Sequence, residues 1–238
     1  IDFEFPNENG EPYKSSGGKM IESELGNIPE GWSVQKLNNI CEVTIGGDWG
    51  KESKEKDLVP AICLRGVDLQ HIKENGFAGD APVRWVKLNS VKKRTVSDND
   101  ILLGGSGAGP VGRSLYVHNS ITNLYQYPII YSNFCKRISA ENKYVAYYVS
   151  EILHQMYITK EMNSFVTGTS VPNLDINSLM NVKIIVPKTK LLKIFYENIV
   201  DPMLRWKYSN ENLILANIRD TLLPKLMSGE IRVPIESE

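Results

Sequence analysis

The chain has 238 residues, 27 Lys and Arg against 28 Asp and Glu, and 42% hydrophobic residues, an ordinary globular composition that excludes wholesale disorder. The length fits one to two domains. No apolar run of about eighteen residues occurs, so no membrane helix is expected, and the start IDFEFPNENGEPYKSSGGKM lacks the basic-then-apolar order of a signal peptide.

Residues 1–27 read as a linker, rich in Gly, Pro, Ser and Asn. Seven acids face two lysines over residues 1–30. The first residue is not Met, so a fragment or a processed chain is expected. Ordered structure is expected from the turn at Ile28-Pro29-Glu30-Gly31-Trp32. Short β-type runs come next, at Ile40–Ile45, Leu58–Leu64, Val83–Leu88, Asp100–Leu103, Ser114–His118 and Tyr127–Tyr131, the last continuing into Phe134–Ile138. Polar glycine loops lie between them, at Gly46–Gly50 with the adjoining KESKEKD, and at GGSGAGPVG (Gly104–Gly112). Helical spacing then appears at Val145, Tyr148, Val149, Ile152, Leu153 and Met156, with Ser139 or Asn142 as cap. A polar loop, NSFVTGTSVPN, leads to a short helix over Asp175–Met180, capped by Asn173 or Asp175, and to a strand at Val182–Val186 ended by Pro187.

From Lys188 to Met227 the chain reads as one long helix, about 60 Å if continuous. Leu192, Ile199, Trp206 and Leu213 recur every seven residues, with Phe195, Met203 and Ala216 beside them, which predicts a seam for a partner helix. The phase then shifts to Leu215, Ile218, Leu222 and Leu226, and Pro202 argues for a kink or stutter. Pro224 is expected to end regular helix near Leu223, with Ser228-Gly229 as the stop. The alternative is an amphipathic helix packed on its own domain.

Cys41, Cys63 and Cys135 are an odd, widely spaced set without CxxC. They form neither a disulfide framework nor a zinc site, and they predict a cytoplasmic chain with small buried thiols. His71, His118 and His154 lack metal-ligand spacing and are expected at surface or structural positions. Gly107 to Gly112 matches GxGxxG, but an extended pattern comes after it and the next acid is Glu141, so a dinucleotide site is rejected. The segment is expected to be a flexible hairpin tip with Arg113 at its base. Neither GxxxxGK nor an Asn-Pro-Pro-aromatic tetrapeptide is present, so P-loop nucleotide binding is unsupported and the chain is not expected to methylate DNA itself. Asp98 and Asp100 are expected to be turn residues.

Charge is uneven. Residues 81–140 carry eight bases against Asp98 and Asp100, and no acid lies between Asp100 and Glu141. Such a segment suits phosphate attraction, and it equally suits a solvated surface. RWVKLNSVKKR (Arg84–Arg94) is expected as a strand with Lys92-Lys93-Arg94 in a turn. Candidate phosphate contacts are Lys87, Lys92, Lys93, Arg94 and Arg113; candidate loop contacts are Lys51, Lys54, Ser106, Gln126, Thr167, Thr169, Ser170 and Asn173. Each alone also fits a solvated loop residue.

Five segments stand out together: the opening stretch with ESELGNIPEGW, VTIGGDWGKES, DNDILLGGSGAGPVGR, GTSVPNLDINSLMNVKIIVPK and IRDTLLPKLMSGEI. In order and spacing they resemble the specificity subunits of type I restriction–modification systems. The resemblance implies an α/β (α+β) target recognition domain over 28–187 with a mixed, mostly antiparallel sheet. A long coiled-coil-type helix over 188–238 comes after it. The resemblance also implies recognition of one half of a bipartite double-stranded DNA target, with no catalysis and no metal or cofactor in this chain. S-adenosylmethionine, ATP and Mg would belong to methyltransferase (modification) and motor–nuclease partner subunits. One recognition domain and one helix are present, and the opening resembles the stretch just beyond the central helix of a full-length subunit. A C-terminal half is therefore expected: a fragment, a truncated product, or a half-subunit that homodimerises through Leu192, Phe195, Ile199, Met203, Trp206 and Leu213. A non-DNA-binding helical assembly module is the alternative.

Overall fold

The computed structural model describes residues 2–7, 9–107 and 109–231. In chain order its elements begin with β1 (Met20–Ile21), β2 (Ile28–Pro29), β3 (Ser33–Lys36), β4 (Cys41–Val43), β5 (Leu58–Leu64), α1 (Gly66–Asn75), β6 (Val83–Lys87) and α2 (Leu88–Arg94). Next come β7 (Asp100–Gly104), β8 (Ser114–Tyr116), α3 (Asn119–Thr122), β9 (Ile129–Tyr131), β10 (Cys135–Ala140) and α4 (Lys143–Ile158). The last are β11 (Val166–Thr167), β12 (Asn173–Leu174), α5 (Ile176–Met180), β13 (Lys183–Val186), α6 (Thr189–Phe195), α7 (Asp201–Lys207) and α8 (Asn210–Met227).

Two sheets carry the domain. One is antiparallel in the order β4-β10-β7-β8; the other, β6-β5-β9, is mixed, with β5 antiparallel to β6 and parallel to β9. The run LVPAICL of β5 is apolar almost throughout because both of its faces are covered. Ile62 and Leu64 enter the main core, while Ala61 and Cys63 join Val86, Val91 and Ile130 in a small second core on the opposite face. α4 packs on β7, β8 and β10 with Val145, Val149, Leu153 and Met156 inward, and Asn142 caps it by accepting from the amides of Tyr144 and Val145. Asp175 caps α5 in the same way through Ser178 N–H.

All three cysteines are buried and free. Burial raises the Cys41 and Cys63 thiols to about 12 and Cys135 to about 11, so they serve as packing groups.

Several expectations are corrected. Structure starts ahead of Ile28: Phe5 stacks between Tyr13 and Trp32, and Phe3 meets Trp32 edge-on. Residues 88–94 are helical, not a strand and turn, because Ser90 and Val91 fold back onto the sheet. Helix α1, with Leu69 and Ile72 buried, has no counterpart in the sequence reading. Asp100 does close the expected turn, donating its N–H to Ser97 O at 3.0 Å and accepting from Ser97 N–H at 2.8 Å, and it is in addition buried at the start of β7, where it bonds Ser139 Oγ.

The single helix expected over 188–227 is interrupted. Asp201 N–H bonds back to Tyr196 O, five residues away, so residues 196–200 form a wide π turn between α6 and α7. Pro202 lacks the N–H that would close an ordinary turn there. Tyr208 then leaves helical geometry to bury its ring beside His118, and α8 starts afresh at Asn210. Pro224 does not end α8, which runs on to Met227. The inserted π residue also shifts the face. The buried stripe is Leu192, Tyr196, Val200, Leu204 and Tyr208, at a strict spacing of four. Leu192, expected on the pairing seam, is thus only 8% exposed within its own domain. Phe195, Ile199, Met203 and Trp206 stand exposed on the other side, Trp206 at 71%. The Leu213 and Ala216 side chains lie outside the described residues.

Two polar contacts pin this helical pair to the sheet. Tyr116 and Tyr196 share a 2.7 Å hydroxyl–hydroxyl bond. His118 Nδ1 accepts from Ser120 N–H, so its proton sits on Nε2 and is donated to Asp201 at 3.0 Å. Burial, opposed by Asp201, holds the His118 imidazole below its ordinary value. The hydrogen bonds from Arg205 and His118 lower Asp201 against the opposing effect of burial.

Candidate nucleic-acid interface

The small core under α2 supports an open groove of about 850 Å³. Its walls are Trp49 and Trp85, and its rim carries Lys51, Lys87, Lys93 and Arg94 against Asp48 and Glu55, four cations to two carboxylates. The loop 46–50 reaches this position because Gly47 passes close over the backbone of the 131–132 segment: a Cβ there would stand 2.2 Å from Ser132 O.

Part of the basic segment builds the groove. Arg84, buried, donates to Trp49 O at 2.9 Å and to Glu52 at 3.2 Å, and stacks over the Trp49 ring at 4.3 Å. Asp48 bonds Ser90 Oγ and accepts from Gly50 N–H, while Arg94 donates to Gly46 O at 2.7 Å and Ser90 Oγ at 3.0 Å. Arg137 donates to the carbonyls of Lys93 and Thr95 at the end of α2. Lys51 lies 3.7 Å from Glu55. Among the described residues Lys87 and Lys93 have no ion pair or side-chain hydrogen bond.

The remaining candidates are spread more widely. Lys54 lies over the Trp85 ring at 5.7 Å, beside the groove. Lys92 is exposed on α2 but does not line the groove. Gln126 is exposed on the turn before β9 and does not line the groove. Ser106 and Asn173 meet in a β-bridge, and Gly107 N–H donates to Pro172 O, so the glycine loop and the loop 167–173 form one surface. Thr167, Thr169, Ser170 and Asn173 are exposed on it. The turn at 132–134 joins this surface to the groove: Asn133 lines the groove, and Phe134 O accepts from Gly105 N–H at 2.8 Å.

The glycine segment does connect antiparallel β7 and β8, the hairpin part of the expectation. Gly104 is required there, since a Cβ would stand 1.9 Å from Pro110 O. Arg113 sits at its base but faces the other way, within reach of Tyr157 Oη at 3.4 Å. It lines a separate pocket of about 460 Å³ with Lys73, His154 and Lys207. Burial lowers Lys73 and Lys207 there, and burial with the nearby Lys73 lowers His154. Asp68, His71 and Asp80 cluster elsewhere, but Arg65 takes both carboxylate oxygens of Asp68.

The loop around Trp49–Lys54 is expected from the sequence to reach bases, and Trp49 does line the groove; Trp85, Asn89 and Asn133 were not among the sequence candidates. For Trp85 a signal existed, an aromatic among cations. For the two asparagines there was none.

No described helix is long and apolar enough to cross a membrane. The sequence model of the family described as Type I restriction modification DNA specificity domain matches residues 29–194. The MjaIX specificity subunit of Methanocaldococcus jannaschii, named as a type I restriction enzyme subunit, is 25% identical over 237 residues, covering 94% of this chain and 50% of that protein. The MjaVIII specificity subunit of the same organism is 24% identical over 221 residues (89% and 49%), and the HindI specificity subunit of Haemophilus influenzae is 23% identical over 218 (86% and 42%). The chain thus spans about half the length of the curated relatives it matches. Among solved structures, the type I S subunit from M. genitalium aligns with TM-score 0.48 and 13% identity over 83% of this chain and 46% of that one. The HsdS subunit from Thermoanaerobacter tengcongensis aligns with TM-score 0.42 and 13% identity over 88% and 48%.

Proposed function

The chain belongs to the type I restriction–modification DNA specificity family, and from that premise we propose that it reads one half of a bipartite duplex target as a non-catalytic recognition module. The observation that carries this reading is the groove, where Lys51, Lys87, Lys93 and Arg94 converge between two tryptophans. Lys87 and Lys93 are available for phosphates, which position a protein on DNA without specifying sequence. The adjoining loops at 105–107, 132–134 and 167–173 supply the hydroxyl and amide groups that base edges require.

The exposed stripe Phe195, Ile199, Met203 and Trp206 and the apolar side chains of α8, such as Ile214, Ile218 and Leu222, suit packing against other helices. On this reading they dock methyltransferase subunits and pair with a second recognition half or a second copy. S-adenosylmethionine, ATP and Mg then act on those partners and on the motor–nuclease subunit, and this chain contributes address and spacing. In the cytoplasm, such a complex meets DNA directly.

The test is selection of the full chain, alone and with a modification subunit, on duplexes of random sequence. Enrichment of one short half-site, with affinity that falls as salt rises, is expected. Absence of any duplex binding in both settings leaves only the helical assembly role.

A further inference from the structure

Resting on the DNA-reading function, we propose that the turn Ser132-Asn133-Phe134 reads an A·T base pair through the major groove, with the Asn133 carboxamide on adenine and the Phe134 ring on the thymine methyl. The turn is rigidly held. Cys135 N–H donates to Ser132 O at 2.9 Å, Ser132 N–H donates to Leu64 O at 2.9 Å, and Ser132 and Cys135 are fully buried. Its two central side chains nevertheless point outward. Phe134 is 59% exposed, although the next residue, Cys135, is fully buried in the main core. Among the described residues the Asn133 side chain makes no hydrogen bond, so its donor and acceptor are both available.

The turn also occupies the middle of the candidate interface. Asn133 opens onto the cationic groove with Lys93 and Arg94, and Phe134 abuts the glycine loop through Gly105. Lys136 lies beside Gly105 as well, where a glycine Cβ would stand 3.1 Å from its side chain. A bare aromatic ring in a cationic surface gains nothing from folding. Next to a carboxamide it matches what an A·T pair presents in the major groove: adenine N6 and N7 for the amide, the thymine C5 methyl for an apolar contact. A rigid stem keeps the two groups in register, as recognition demands.

The experiment uses the full chain and the half-site it selects. Thymine is replaced by uracil, which removes only the methyl, and adenine by 7-deazaadenine, which removes N7. At one A·T pair, each replacement is expected to weaken wild-type binding about fivefold or more. Phe134→Ala is expected to bind the thymine and uracil duplexes equally, and Asn133→Ala the adenine and 7-deazaadenine duplexes equally. Both variants keep the wild-type salt dependence, which shows the phosphate contacts intact. Sequence-specific binding in which neither variant changes its response to these replacements overturns this inference alone. Failure of the wild type to bind duplex DNA removes the underlying reading and this one together.

Discussion

Removing Lys87 and Lys93 together tests the electrostatic reading most directly. Lys51 is shared with Glu55, and Arg94 is held by Gly46 and Ser90, so the two lysines are the groove cations the chain does not itself engage. Each phosphate neutralised adds about 0.9 to the steepness of log affinity against log salt. The double variant Lys87→Ala/Lys93→Ala should therefore have a slope shallower by about 1.8. Between about 50 and 200 mM salt, a fourfold rise, the wild type should lose about twelvefold more affinity than the variant. Fluorescence anisotropy on a labelled target duplex across that range measures the slope. Lys92→Ala serves as control, since Lys92 lies on α2 outside the groove. Equal slopes for wild type and double variant, or an equal flattening by Lys92→Ala, refute the placement of phosphates in the groove.

The helical stripe separates stability from association. Leu192→Ala should destabilise the fold by about 2–4 kcal/mol in thermal or urea unfolding, because Leu192 is buried in the core. Trp206→Ala, at an exposed position, should leave the Tm nearly unchanged and weaken self-association or modification-subunit docking in sedimentation, and unchanged association would count against the stripe as an interface. Stability should fall on acidification. The buried His118 imidazole is harder to protonate than in the unfolded chain, so its contribution is full above about pH 6.5 and declines as pH drops through that value toward the lower folded-state one. His118→Asn, which keeps an acceptor for Ser120 N–H, should flatten that part of the pH–stability curve, and an unaltered curve would exclude His118 as its source. Gly47→Ala should cost about 1–3 kcal/mol, since a Cβ would collide with the backbone at Ser132, and should weaken DNA binding by displacing Trp49 from the groove. Wild-type stability and affinity in that variant would mean the loop adapts.

Much of this protein is legible in one dimension. The strand over Leu58–Leu64 is readable because a seven-residue apolar run between polar loops has few other options. The cap at Asn142 and the helix behind it arise from local hydrogen bonding and a repeat long enough to be unambiguous. The family is carried by five segments of this chain in a recognisable order. Helices α1 and α2 were hidden because ten and seven residues give too few turns for a period to show, and the buried positions were set by what the sheet needed covered.

The basic segment divides the same way. Composition placed eight bases between residues 81 and 140, but could not say that Arg84 and Arg137 would brace loops, that Arg113 would face another pocket, or that Lys87 and Lys93 would remain open to a ligand. Those roles depend on carbonyls and rings brought from distant parts of the chain. The heptad spacing of Leu192, Ile199 and Trp206 failed for a related reason: it presumes an unbroken helical twist, and the π turn ahead of Pro202 adds one residue that turns Leu192 inward and leaves the other two outside. Local propensity and covalent order are properties of neighbours and can be read from neighbours. Which side chain finds a partner is a property of space, decided only when sheet, loop and helix close on one another.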